Sequence, residues 1–142
     1  MSALAIVALV LGILLLLAIA LAPVRRRARR LQVEVEAEPG AVRSEHVRGL
    51  GLQSRDPAQV RGNGLLTLTG EELRFRMLVP DRETRIPLAA VTAVGSERTW
   101  LGKWVGRRLF RVRWRTPDGA EDAMAWEVRD LDGWIAALGG ER

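Results

Sequence analysis

The sequence predicts an N-terminal transmembrane helix followed by a mainly β domain, a bent antiparallel sheet or barrel closed by a C-terminal α-helix. Three observations predict it. Residues Ser2 to Ala22 carry no charge, and five arginines follow at once in Pro23-Val-Arg-Arg-Arg-Ala-Arg-Arg. From Gly64 to Val128 the chain runs in short stretches of alternating apolar and polar residues, separated by turn residues. The last stretch changes period: Leu131, Trp134, Ile135 and Leu138 fall at i, i+3, i+4 and i+7, one stripe of a helix.

The apolar run is the anchor. At about 1.5 Å rise per residue it spans roughly 31 Å as a helix, close to the ~30 Å hydrocarbon core of a bilayer. In lipid every backbone N–H and C=O needs a partner, and a helix supplies them internally. Arg25, Arg26, Arg27, Arg29 and Arg30 lie only on its C-terminal side, which by the positive-inside bias puts the N-terminus outside and residues 25–142 in the cytoplasm. The competing reading is a cleaved signal peptide, with Ala20-Leu21-Ala22 as its small-x-small site. A charge-free start, an apolar run longer than a usual h-region and Pro23 just past that site oppose it. Ala5, Ala8 and Gly12 share one helical face, but no Gly-xxx-Gly motif is present. The chain thus divides into an anchor (1–24), a basic juxtamembrane segment and linker (25–40) and one domain (41–142).

Leu31-Gln-Val-Glu-Val-Glu-Ala-Glu38 alternates strictly and suits a short strand, with a helix continuing from the membrane as the alternative. Pro39-Gly40 ends either one. Residues 41–63 are rich in turn residues and give no clear element. Strands are then expected at 65–69, 73–79, 83–88, 91–96, 109–115 and 121–128. Pro87 falls near the end of its strand, where a missing donor costs least. In 109–115, Phe110, Val112 and Trp114 face one way and Arg111, Arg113 and Arg115 the other. Thr116-Pro117-Asp118-Gly119 is a turn in which proline presets φ and glycine accepts positive φ. Asp130 is a suitable N-cap for the final helix, and Gly139-Gly140 ends it.

The charges are unevenly placed along the chain: the net +5 equals the five juxtamembrane arginines, and all 17 acidic residues lie after position 30. The domain itself is formally neutral, so the basic isoelectric point gives no reason to expect nucleic acid as a partner. There is no cysteine and no tyrosine, His46 is the only histidine and Lys103 the only lysine. No phosphate-binding loop, nucleophile elbow, zinc-protease helix or paired-carboxylate setting is present. The usual catalytic groups are scarce, so no enzyme activity and no cofactor or metal are expected. Asp130-Leu-Asp132-Gly133 has the start of a calcium loop but not its downstream ligands.

Three places carry a possible interaction. Arg25, Arg26, Arg27, Arg29 and Arg30 set topology and can meet anionic headgroups, at about 1 kcal/mol per residue near the surface. Arg111, Arg113 and Arg115 form a basic stripe, read either as a patch for phosphate or an acidic partner or as a solvated face paired with Glu121 and Glu127. Trp100, Leu101, Lys103 and Trp104 lie in a glycine-bounded segment ending at Gly106, read either as an interaction loop that touches a partner or the membrane interface, or as a loop folded over an open end of the barrel that buries both rings; at least one ring is expected in the core.

The local phrases Gly64-Leu-Leu-Thr-Leu-Thr69, Leu73-Arg-Phe75, Ile86-Pro87-Leu88 and Val91-Thr-Ala-Val94, in that order and ending in one amphipathic helix, resemble the PH-like superfold, in particular its GRAM and bacterial PH branches. The likeness covers residues 42–139 and rests on core and turn positions. It implies a strongly bent sheet plugged at one end by the helix, and a non-catalytic binding or adaptor module that engages a protein partner or an anionic lipid surface. The alternative is an accessory subunit of a larger membrane complex. Phosphoinositide-binding members carry basic residues in the loop between their first two strands. Matched onto the first strand legible here, that loop is Thr69-Gly70-Glu71-Glu72, which is acidic and implies no inositol phosphate site.

Overall fold

In the computed structural model, residues 2–36, 40–55 and 60–140 are described, with side chains for all of these but 31–36. Pro39, Pro57 and Asp56 lie outside them. Helix α1 runs Ala3–Glu36 with Pro23 inside it. Residues 31–36 are therefore helical, and the strand expected from their alternation is not formed. Extending an existing helix costs no new nucleus, and Leu, Gln and Glu all favour it. Pro23 removes one backbone donor near the end of the apolar run.

Seven strands follow: β1 (Ala41–Leu52), β2 (Gly62–Thr69), β3 (Glu72–Met77), β4 (Arg82–Pro87), β5 (Val91–Trp100), β6 (Lys103–Arg115) and β7 (Glu121–Glu127). Helix α2 spans Leu131–Ala137. The strands form one antiparallel sheet in the order β4-β3-β2-β1-β7-β6-β5. Among the described residues no ladder joins β4 to β5, so the sheet is not closed into a barrel. β1 and β7 pair at its centre, which brings the start and end of the domain together.

β1 is the strand the sequence did not reveal. Its presence moves the acidic Thr69–Glu72 turn to the connection between the second and third strands. The connection between the first two is residues 53–61, which carries Arg55 and Arg61. The acidic-loop argument against an inositol phosphate site therefore falls.

One face of the sheet and the apolar stripe of α2 enclose the main core. Leu66, Leu73, Phe75, Ile86, Phe110 and Trp126 are buried there, with Trp134 and Leu138 from the helix side. Phe110 links the two layers: its ring lies 5.7 Å from Trp126 and 5.8 Å from Trp134, centroid to centroid. α2 begins as expected, with the Asp130 carboxylate accepting from the Gly133 N–H at 3.0 Å. It ends in Gly139 and Gly140, both at positive φ.

A second, smaller core sits on the opposite face. Trp100 covers Leu50, Leu109, Ala123 and Ala125 there. The segment expected as a loop is in fact the end of a long hairpin. β5 and β6 pair out to Trp100 and Lys103 across the two-residue turn Leu101-Gly102, at φ 50° and 75°. Positive φ at both central residues is the geometry that matches strand twist.

Candidate interaction surfaces

The hairpin tip divides its two tryptophans between inside and outside. Trp100 is 4% exposed, and its indole Nε1 donates to the Gly51 carbonyl at 3.1 Å. That bond ties the tip to the centre of the sheet. Trp104 is 72% exposed. Gly106, at φ +79°, lies under its ring, and a Cβ there would meet the ring edge at 3.3 Å. Lys103 is exposed and Leu101 half-buried. The segment thus presents one aromatic ring outward on an arm braced by the other.

The basic stripe on β6 is largely neutralised. Arg111 Nη1 bonds Glu97 Oε1 at 2.7 Å, and its guanidinium lies over Gly95, where a Cβ would sit 2.8 Å from Nη2. Arg113 is 3.8 Å from Glu97 and 3.5 Å from Glu121. Arg115 faces the Gly119 carbonyl at 3.5 Å. Of the two glutamates expected beside the stripe, Glu121 takes that place, whereas Glu127 meets Arg107 at 3.9 Å. Glu97 on the neighbouring strand is the partner that the sequence did not disclose.

The juxtamembrane arginines lie on α1. Arg25, Arg26, Arg29 and Arg30 are exposed, and Arg27 pairs with Asp81 in the turn between β3 and β4. Asp81 gave no signal in the sequence, because its partner is 54 positions away in a different element.

At the α2 end, Glu45 accepts from Trp134 Nε1 at 2.8 Å and from the Arg129 N–H at 2.6 Å. Arg43 bonds Asp130 at 2.5 Å and stacks over the Trp134 ring at 5.0 Å. The Arg43 hydrogen bond, with the Gly133 N–H behind it, holds the Asp130 carboxyl below its ordinary value. These groups fix the helix to the sheet. His46 is exposed on β1. Among the described residues no three His, Cys, Asp or Glu side chains gather as metal ligands.

At the other end of the sheet is a cleft of about 370 Å³ between β1, β3, β4 and β7. Phe75, Met77 and Met124 form its floor and Arg55, Arg82 and Thr84 its rim. Nearby, Asp122 is only 7% exposed yet satisfied, accepting from the Ser54 hydroxyl at 2.7 Å and the Ser54 N–H at 3.0 Å. It closes the 53–55 turn onto β7.

α1 is long and apolar enough over Ala3–Arg30 to cross a membrane. Comparison with family models, curated proteins and solved structures finds no match.

Proposed function

We propose that this chain is a single-pass, cytoplasm-facing binding module of PH-like architecture that catalyses no reaction and engages a protein partner through the tip of the β5–β6 hairpin. The observation that carries this reading is the division of labour between Trp100 and Trp104. One ring anchors the tip, and the other stands 72% exposed on it. Tryptophan is enriched at the energetic centres of interfaces, because it offers large area at little conformational cost. The basic stripe is a weaker candidate, since Arg111 and Arg113 already have carboxylates within 4 Å. The juxtamembrane arginines add affinity for anionic lipid on the cytoplasmic side. The PH-like reading is supported by the element order and by the position of α2 over one end of the sheet.

The test is quantitative affinity purification of the full chain in detergent, wild type against Trp104→Ala. A protein partner depleted in the variant at unchanged melting temperature supports the reading. An unchanged set of partners overturns it. A tag at the C-terminus, protected from protease in intact cells and digested after lysis, tests the orientation. The second reading, an accessory subunit of a larger membrane complex, is favoured by the open face of Ala5, Ala8 and Gly12 on the anchor, where small side chains let another helix approach.

A further inference from the structure

α1 does not stop at the end of its apolar run. It continues as one helix to Glu36, and its surroundings change on the way. The side chains of the apolar run are exposed almost throughout, but Val24, Arg27 and Ala28 are half-buried. These three fall at i, i+3 and i+4, a single stripe. The domain lies against that part of the helix. α1 touches β1 and β2, and the Arg27 guanidinium pairs with the Asp81 carboxylate. Asp81 belongs to the turn between β3 and β4, so this turn is what meets α1 just beyond the apolar residues.

Helix geometry sets the height of that contact. Arg27 follows Ala22 by five residues, about 7.5 Å along the axis. A bilayer of ~40–45 Å with a ~30 Å core leaves roughly 5–8 Å of headgroup on each side. The Arg27–Asp81 pair, and the turn with it, therefore stands at headgroup level.

The turn is suited to that place. Among the described residues beyond α1, the exposed large hydrophobics are Val42, Val79 and Trp104. Val79 is 60% exposed and lies two residues from Asp81. Val42 sits at the far end of the strands, since Ala41 pairs with Thr69 while Met77 pairs with Gly64. The charge around Val79 is positive. Arg82 follows the turn, and Arg61 adjoins Gly62, whose backbone lies against the Val79 carbonyl. The carboxylate within the turn, Asp81, is already matched by Arg27.

We infer that Val79 and Pro80 are a second membrane contact: the β3–β4 turn enters the headgroup layer of an anionic bilayer, flanked by Arg61 and Arg82, while α1 holds the domain in place as a strut. The inference rests on the reading of α1 as a membrane anchor. Apolar contact and phosphate attraction act together there, as they do for interfacial segments in general.

The chain has no cysteine, so a single introduced one is labelled uniquely. The experiment uses the full chain with Leu14→Cys, Val79→Cys, Arg82→Cys or Ala136→Cys, each carrying an environment-sensitive fluorophore. Each is reconstituted in phosphatidylcholine–phosphatidylglycerol vesicles containing lipids spin-labelled on the acyl chain or at the headgroup. Position 14 should be quenched from the acyl chain. Positions 79 and 82 should be quenched from the headgroup, with a blue shift at 79. Position 136, exposed on α2, should be quenched by neither. Quenching at 79 and 82 no greater than at 136, with 14 still quenched, overturns the second contact and leaves the anchor standing. Absence of acyl-chain quenching at 14 overturns both.

Discussion

Replacing Trp100 and Trp104 one at a time separates a buried brace from an exposed ring. A buried aromatic covers about 150–250 Å², which at about 25 cal/mol per Å² gives an upper bound of roughly 4–6 kcal/mol. Truncation of large core aromatics costs about 3–5 kcal/mol. Trp100 packs on Ala123 and Ala125 near the tip of an arm, where the surroundings can collapse into the space left behind. The lower end, about 3 kcal/mol, is therefore expected for Trp100→Ala. The unpaired Gly51 carbonyl regains water once the ring is gone, so the lost hydrogen bond adds little. Trp104→Ala should change stability by less than about 0.5 kcal/mol. For a domain of this size 1 kcal/mol shifts the melting temperature by about 4–8 °C, so Trp100→Ala should melt about 12–24 °C lower. The measurement is thermal unfolding of the full chain in detergent, followed by tryptophan fluorescence and near-ultraviolet dichroism. A loss below about 1 kcal/mol for Trp100→Ala, or equal losses in the two variants, would refute the assignment of brace and exposed ring.

Glu45→Ala should destabilise by about 1–3 kcal/mol, because it strands the Nε1 donor of the buried Trp134; a double-mutant cycle with Trp134→Phe should show strong coupling, and independent effects would contradict the bond. The Asp130 carboxyl titrates below its ordinary 3.8 in the folded state, so its contribution is complete above about pH 5 and is lost as pH falls through the folded value. Asp130→Asn keeps the capping oxygen and should flatten the acid limb of a urea-midpoint profile; an unchanged limb sinks this linkage. Gly49→Ala should cost about 1–3 kcal/mol, since its Cβ would stand 2.7 Å from the Phe75 ring and 2.8 Å from the Met124 methyl; wild-type stability in denaturant titration would show that the core there has slack.

The strands from β2 to β7 and the final helix were legible because each buries one face against a core, and burial on one face writes a period into the chain. β1 breaks that relation. At Gly49, Leu50 and Gly51 both faces are covered, one by Phe75 and Met124 and the other by Trp100. Glycine stands where an apolar side chain was sought, because the space is already filled. The alternation at residues 31–36 misled for the opposite reason: the pattern of a strand was present, but the helix already running through it prevailed. The loop reading that buries both rings fails at Trp104, and only the expectation of at least one inward ring holds, at Trp100. Which ring depends on how β5 and β6 curl back over β7, a long-range arrangement that neighbouring residues do not encode. Glu97 and Asp81 escaped notice because their arginine partners are distant in sequence.

The open sheet leaves two edge strands, and, on the reading of α1 as an anchor, copies of the chain would meet one another at high surface density. An unguarded edge in that setting is a template for stacking one molecule on the next. The two edges carry different protections. β4 presents Arg82, Glu83 and Arg85 and ends in Pro87, which offers no donor. β5 carries no charge from Val91 to Gly95, but its pairing slips between Val91 and Ala93 and again between Glu97 and Thr99. Such irregularities bend a strand away from the flat, in-register geometry a second copy would need. Charge deters the approach at one edge and shape spoils the match at the other, so no single substitution exposes both to runaway assembly.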